Sequence, residues 1–186
     1  MKIRKYLSKK TIGVLYGGTS AEREISLKSG AAIINVLKKE GFKVLPVDVG
    51  SDFISAVNKI KIDVAFLALH GPFGEDGRVQ AILESAGIPY TGSGVLSSAL
   101  SMNKLYSKEI FTYHKLPTPD WTGIERGCRE GNQYFQTTFP LVVKPAEQGS
   151  TIGVSIVDNK KALEKGITKA MKYGEQVIIE KYIPGR

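Results

Sequence analysis

Residues 63–69 (DVAFLAL) are apolar at every position after Asp63. A run this short and apolar on both faces suits a strand covered above and below, the habit of parallel sheets with helices on both sides. The surrounding pattern repeats the theme. Residues 11–16 and 43–49 read as two earlier strands. Between them, residues 22–40 carry Ile25, Ala32, Ile33, Val36 and Leu37 on one helical stripe, with Gly41 as the stop. A short helix is expected over 52–60. Another is expected over 76–86, with Val79, Ile82, Leu83 and Ala86 at helical spacing and Gly87 closing it. Strand–helix alternation of this kind predicts a Rossmann-like α/β domain. Ligands of such sheets collect beyond the carboxyl ends of the strands, which singles out the loops at 17–21 and 70–77.

The pattern changes after Gly92 and Gly94. Residues 97–115 read as one helix with Ala99, Met102, Tyr106, Ile110 and Tyr113 along a stripe, ended by Pro117 and Pro119. Strands are expected at 120–124, 141–144, 154–157 and 176–182, with a helix capped by Asn159 running to about Tyr173. Its expected buried positions are Leu163, Ile167, Ala170 and Met171. Residues 125–138 read as a polar surface excursion. The expected organisation is a parallel-sheet domain at 1–96 and a small antiparallel α+β unit at 97–186.

Composition narrows the function classes. The 186 residues are 42% hydrophobic and 24% charged, ordinary for a globular chain, and no run is long enough to span a membrane. The basic start at 1–10 leads into a strand rather than a secretory leader. Cys128 is the only cysteine and sits in no motif, so it reads as a bystander thiol; a reducing cytoplasm is expected. The net charge of +8 suits phosphate-bearing ligands. Its lysines are scattered and no aromatic–basic sheet motif accompanies them, so neither nucleic acid nor membrane is expected as a partner.

Three segments carry candidate chemistry. Val142-Val143-Lys144-Pro145-Ala146-Glu147-Gln148-Gly149-Ser150-Thr151-Ile152-Gly153 places a lysine at a strand end, then a glycine-containing loop. The lysine could meet a polyphosphate, and Gly149 and Gly153 let backbone N–H groups approach its oxygens. An exposed lysine on a hairpin fits the same pattern. Gly17-Gly18-Thr19-Ser20-Ala21-Glu22 opens the first helix; Thr19 and Glu22 form a capping box by spacing, and Glu22 could instead hold an ammonium. His70-Gly71-Pro72-Phe73-Gly74-Glu75-Asp76-Gly77 offers an imidazole to a carboxylate or phosphate, or only braces its loop. Its single histidine beside two acids has no metal-ligand spacing. His114 suits a helix C-terminus and needs no other role. Spacing alone leaves Lys104 a solvated helix lysine and the 180–183 segment an exposed edge.

Taken together, GGTSAEREISLKSG (17–30), ALHGPFGEDGRVQAILESAGIPYTGSGVLSSALSMNK (68–104), FPLVVKPAEQGSTIGVS (139–155) and IIEKYIPGR (178–186) resemble the D-alanine–D-alanine ligases of the ATP-grasp superfamily. The resemblance covers close to half the chain. It implies that ATP phosphorylates the carboxylate of one D-alanine and the amine of a second attacks the acyl phosphate. By resemblance Glu22 anchors the first ammonium in a hydrogen-bonded set with Ser150, and His70 lies beside the reacting carboxylate. Lys104 and Lys144 contact ATP phosphates. The loop with Gly149, Ser150 and Thr151 folds over them, and Glu180, Lys181 and Ile183 border the adenine. The family's Mg2+ ligands fall beyond Arg186, so the chain is expected to be an incomplete enzyme, with no turnover of its own and weak ATP binding. A homodimer through the first domain is a family expectation. Competing expectations are a noncatalytic nucleotide- or amino-acid-binding module and a D-alanine–D-lactate ligase.

Overall fold

A computed structural model of the chain describes residues 2–127 and 138–185. Cys128 and most of the expected excursion lie outside the described residues. The chain divides into two compact units, Met1–Ala99 and Leu100–Arg186. No described helix is long and apolar enough to cross a membrane.

The first unit is built on three parallel strands, β1 (Thr11–Gly17), β2 (Lys43–Val49) and β3 (Val64–Leu67), in the order β2-β1-β3. The central strand β1 is buried along most of its length. Leu15 joins Val47, Val49, Phe53, Val57, Ala65, Leu69, Val79 and Leu83 in one core, supplied by α3 (Phe53–Ala56) and α4 (Arg78–Ser85). Its neighbour Tyr16 meets Gly30 of α2 (Arg23–Lys39) instead. Consecutive strand residues point to opposite faces, so helices cover both sides of the sheet as the apolar runs require.

Residues 2–7, to which the sequence reading assigns no element, form the short helix α1 (Lys2–Leu7), whose Arg4 pairs with Glu40 at 2.9 Å. One expectation for this unit needs correction. On α2 the buried residues are Ser26 and Gly30, while Ile25 and Val36 of the expected stripe are more than half exposed. Close approach to β1 selects small residues there: a Cβ on Gly30 would come within 2.4 Å of Tyr16 Cβ.

The second unit carries an antiparallel sheet in the order β4-β7-β5-β6, from β4 (Trp121–Glu125), β5 (Leu141–Pro145), β6 (Ser155–Val157) and β7 (Gln176–Lys181). Leu141, Val143, Val157, Val177 and Ile179 face α7 (Lys160–Ala170) in its core, with Ala170 from the helix. Leu163, Ile167 and Met171 pack against this core half-buried, and Asn159 caps α7 by accepting from Ala162 N at 2.9 Å.

Residues 97–115 are not one helix. They divide between α5 (Val95–Met102) and α6 (Lys104–Tyr113) at Asn103, which takes extended backbone and N-caps α6 through Leu105 N and Tyr106 N. The stripe that seemed continuous is interrupted by this cap. Its members Tyr106 and Tyr113 are exposed, and the buried residue of α6 is Lys108. The last strand is no edge either: β7 pairs with β4 on one side and β5 on the other.

Candidate functional site

In the first unit the carboxyl ends of β1 and β3 are tied together by Ser26. Its hydroxyl accepts from Gly17 N at 2.9 Å and donates to the Ala68 carbonyl at 2.7 Å, fully buried. That bond fixes the start of both candidate loops. Ser20 Oγ then donates to the His70 carbonyl at 2.7 Å and accepts from Glu22 N at 3.2 Å. His70 Nε2 shares a hydrogen bond with Ser29 Oγ at 3.2 Å. The capping-box reading of Glu22 fails, because the residue stands at the N-cap position itself and its side chain bonds no helix N–H. The carboxylate lies instead against Gly71, where a Cβ would come within 2.7 Å of Glu22 Oε2. Among the described residues no donor hydrogen-bonds that carboxylate. A half-buried acid with no hydrogen-bonded cation among the described residues is suited to hold an ammonium.

The other two acids of the loop brace it. Glu75 Oε2 accepts from Gly71 N at 2.6 Å, and Asp76 accepts from Phe73 N at 2.7 Å and from Arg78. The Asp76 carboxyl is pushed up by burial, but hydrogen bonds from Arg78, Phe73 N and Arg78 N outweigh this and leave it below its ordinary value.

In the second unit, β-sheet register explains how the charged residues meet. Val142 opposes Glu180 and Lys144 opposes Ile178, so Lys144 and Glu180 are diagonal neighbours on one face. That face looks away from the α7 core. Lys144 and Glu180 form an ion pair, and Lys108 Nζ lies 2.9 Å from Glu180 Oε2. Burial pushes the Glu180 carboxyl up, yet hydrogen bonds from Lys144 and Lys108 prevail and hold it below its usual range. Lys144 is therefore not the exposed hairpin lysine that its sequence context also allowed, and Glu180 is 8% exposed.

Lys104, first residue of α6, donates to the Gln148 carbonyl at 2.6 Å and more weakly to Ala146 O at 3.4 Å. Burial, then repulsion from the Lys144 ammonium, lowers its pKa, partly offset by Glu180. Lys104 on the Gln148 carbonyl and Lys144 on Glu180 thus bring two cations to the base of the glycine loop, an arrangement that favours a polyanion. The loop is shaped by backbone constraint. Gly153 has φ +72°, and a Cβ there would meet Pro145 Cγ at 2.6 Å. Ser150 has φ +52°, unusual for a residue with a Cβ. Gln148 Nε2 anchors the loop to the Tyr173 carbonyl at 3.1 Å. Lys181 is exposed and its backbone N–H donates to Asp120 O at 2.9 Å, while Ile183 is 58% exposed.

Sequence reading passed over two residues of this cluster. Asn103 not only caps α6 but donates to Glu147 Oε1 at 3.1 Å, clamping the helix start to the loop. Lys108 sits one turn beyond Lys104, and that spacing was the available signal. Glu22 and His70 belong to the first unit, and Lys104, Lys144, Gly149, Ser150, Thr151 and Glu180 to the second.

Comparison with known proteins agrees along the chain. The family model described as D-ala D-ala ligase N-terminus matches residues 11–59 and 52–93, and that described as D-ala D-ala ligase C-terminus matches 110–186. A D-alanine–D-alanine ligase of Syntrophotalea carbinolica is 46% identical over 98% of this chain and 59% of its own length. The crystal structure of the Bacillus anthracis D-alanine–D-alanine ligase complexed with ATP superposes with TM-score 0.85 at 40% identity, covering 95% of this chain and 60% of that one. The VanG D-Ala:D-Ser ligase from Enterococcus faecalis gives 0.80 at 29% identity, over 95% and 63%. The chain spans about three fifths of the length of these relatives.

Proposed function

This chain belongs to the D-alanine–D-alanine ligase family, and we propose that it serves the ATP-dependent joining of two D-alanines into the dipeptide of peptidoglycan precursors. The observation that carries the reading is the placing of two ammonium groups at the base of one glycine loop, Lys104 on the Gln148 carbonyl and Lys144 on the buried Glu180. In this role the two ammonium groups bind the ATP phosphates and favour the transfer of the terminal phosphoryl group, whose negative charge they offset. Backbone N–H groups around Gly149, Ser150 and Thr151 add donors without a side chain in the way. Glu180, Lys181 and Ile183 border the adenine. Glu22 holds the ammonium of the first D-alanine, and His70 stabilises its carboxylate as that group accepts phosphate. The second amine then displaces phosphate from the acyl carbon.

Mg2+ accompanies ATP in this proposal, but among the described residues no three His, Cys, Asp or Glu side chains are grouped to hold a metal. A cytoplasmic location, where ATP and free D-alanine are both available, and pairing of two copies through the first unit complete the proposal. Higher identity to the D-alanine–D-alanine ligase of Syntrophotalea (46%) than to the D-Ala:D-Ser enzyme (29%) supports an amine from D-alanine as nucleophile.

Calorimetric titration of the chain with ATP–Mg2+ and, separately, with D-alanine tests the reading. Lys144→Ala is expected to remove the nucleotide heat and Glu22→Gln the amino-acid heat. Binding unchanged in both variants, or no binding of either ligand to the wild type, would contradict it.

A further inference from the structure

Glu180 is shared by two lysines that are held very differently. The Lys108 ammonium has three hydrogens and meets three acceptors: Thr118 Oγ1 at 2.6 Å, the Pro119 carbonyl at 3.3 Å and Glu180 Oε2 at 2.9 Å. Its side chain is 11% exposed. The Lys144 ammonium meets only Glu180 Oε1 among the described residues, and its side chain is 28% exposed. One cation is saturated and enclosed; the other has hydrogens to spare and an outlet to solvent.

A buried carboxylate that lost its sole cation would be left uncompensated, which is strongly unfavourable. Were Lys144 the only partner of Glu180, a ligand drawing Lys144 away would have to bear that cost. With Lys108 in place Glu180 keeps a counter-ion throughout. We propose that Lys108 is a positioning residue for Lys144: it is the permanent counter-ion of Glu180 and so leaves the Lys144 ammonium able to exchange from Glu180 to the phosphates of a nucleotide. The last clause rests on the nucleotide reading above; the division of labour between the lysines does not.

Pulse acetylation of the ligand-free chain with acetic anhydride, read at Lys144 by mass spectrometry, tests the division directly. In Lys108→Met the Glu180 charge falls on Lys144 alone. Its labelling is expected to drop about threefold, because a buried carboxylate left with one cation holds that ammonium more tightly. Lys108→Arg keeps the charge and is expected to label Lys144 like the wild type, which guards against a methionine variant that folds poorly. In a Glu180→Gln background the methionine effect is expected to vanish, an outcome packing alone would not give. Equal Lys144 labelling in wild type and Lys108→Met, or an equal drop with Glu180 neutralised, overturns the proposal. ATP titration supplies the second arm: affinity is expected to fall about threefold in Lys108→Met, in step with the labelling. Labelling as expected with no ATP binding by the wild type would overturn the nucleotide reading and leave the salt-bridge division standing. Unchanged ATP affinity in Lys108→Met beside a wild type that binds would overturn the exchange.

Discussion

The Glu22 carboxylate rests directly against Gly71, close enough that a Cβ on Gly71 would sit 2.7 Å from Glu22 Oε2. Gly71 also has φ +71°, a conformation that residues with a Cβ adopt at a cost. Gly71→Ala should therefore lower stability by about 1–2 kcal/mol and displace the carboxylate. Thermal melting and D-alanine titration read the two effects. Unchanged melting together with unchanged D-alanine affinity would show that the close approach does not exist.

Ser26 bonds both β1 and β3 from a fully buried position. Ser26→Ala orphans Gly17 N and the Ala68 carbonyl, so a loss of about 2–3 kcal/mol is expected in denaturant unfolding. Hydrogen exchange at the Gly17 amide should accelerate. A loss below about 0.5 kcal/mol, the level of an ordinary surface change, would refute the bridging role.

Asn103→Ala removes the α6 cap and the link to Glu147. The expected cost is about 1–2 kcal/mol, the upper part of the range for capping residues because the amide is also buried. Lys104 begins the same helix, so ATP affinity should weaken as well. Stability loss without any change in ATP affinity would separate the cap from the nucleotide site.

The native Glu180 carboxyl lies below its ordinary value of 4.5. A carboxyl lowered on folding contributes stability that is present above that ordinary value and is lost as pH falls through the lowered native one. The acid limb of a stability–pH curve should therefore flatten in Glu180→Gln, with little difference in slope near neutrality. Superimposable acid limbs for wild type and variant would contradict the charge assignment.

The sequence marked β1, β3 and α4 because large apolar residues recur there at the period of the element they form. The face of α2 was misread for the converse reason: its contact with β1 is made by Ser26 and Gly30, which a hydrophobic stripe does not register. The break at Asn103 was hidden by apolar residues that continue in phase across it, although an asparagine able to cap was present in the chain. That β7 is interior could not be read from residues 176–182 alone, since strand order depends on partners distant in sequence. In the site, Lys144 before its glycine loop, Glu22 and His70 stood out by their sequence context, whereas Lys104 and Glu180 were marked only by the family resemblance. Lys108 did not stand out, because its importance comes from a carboxylate 72 residues away in the chain, at position 180.

The 31P spectrum of ATP–Mg2+ titrated with the chain tests the grip of Lys104 and Lys144 on phosphate most directly. Shifts of the phosphate resonances with the wild type, much reduced in Lys144→Ala and in Lys104→Met while both variants stay folded, are the expected result. Phosphate resonances that respond identically to wild type and both variants, or to none of them, would contradict it.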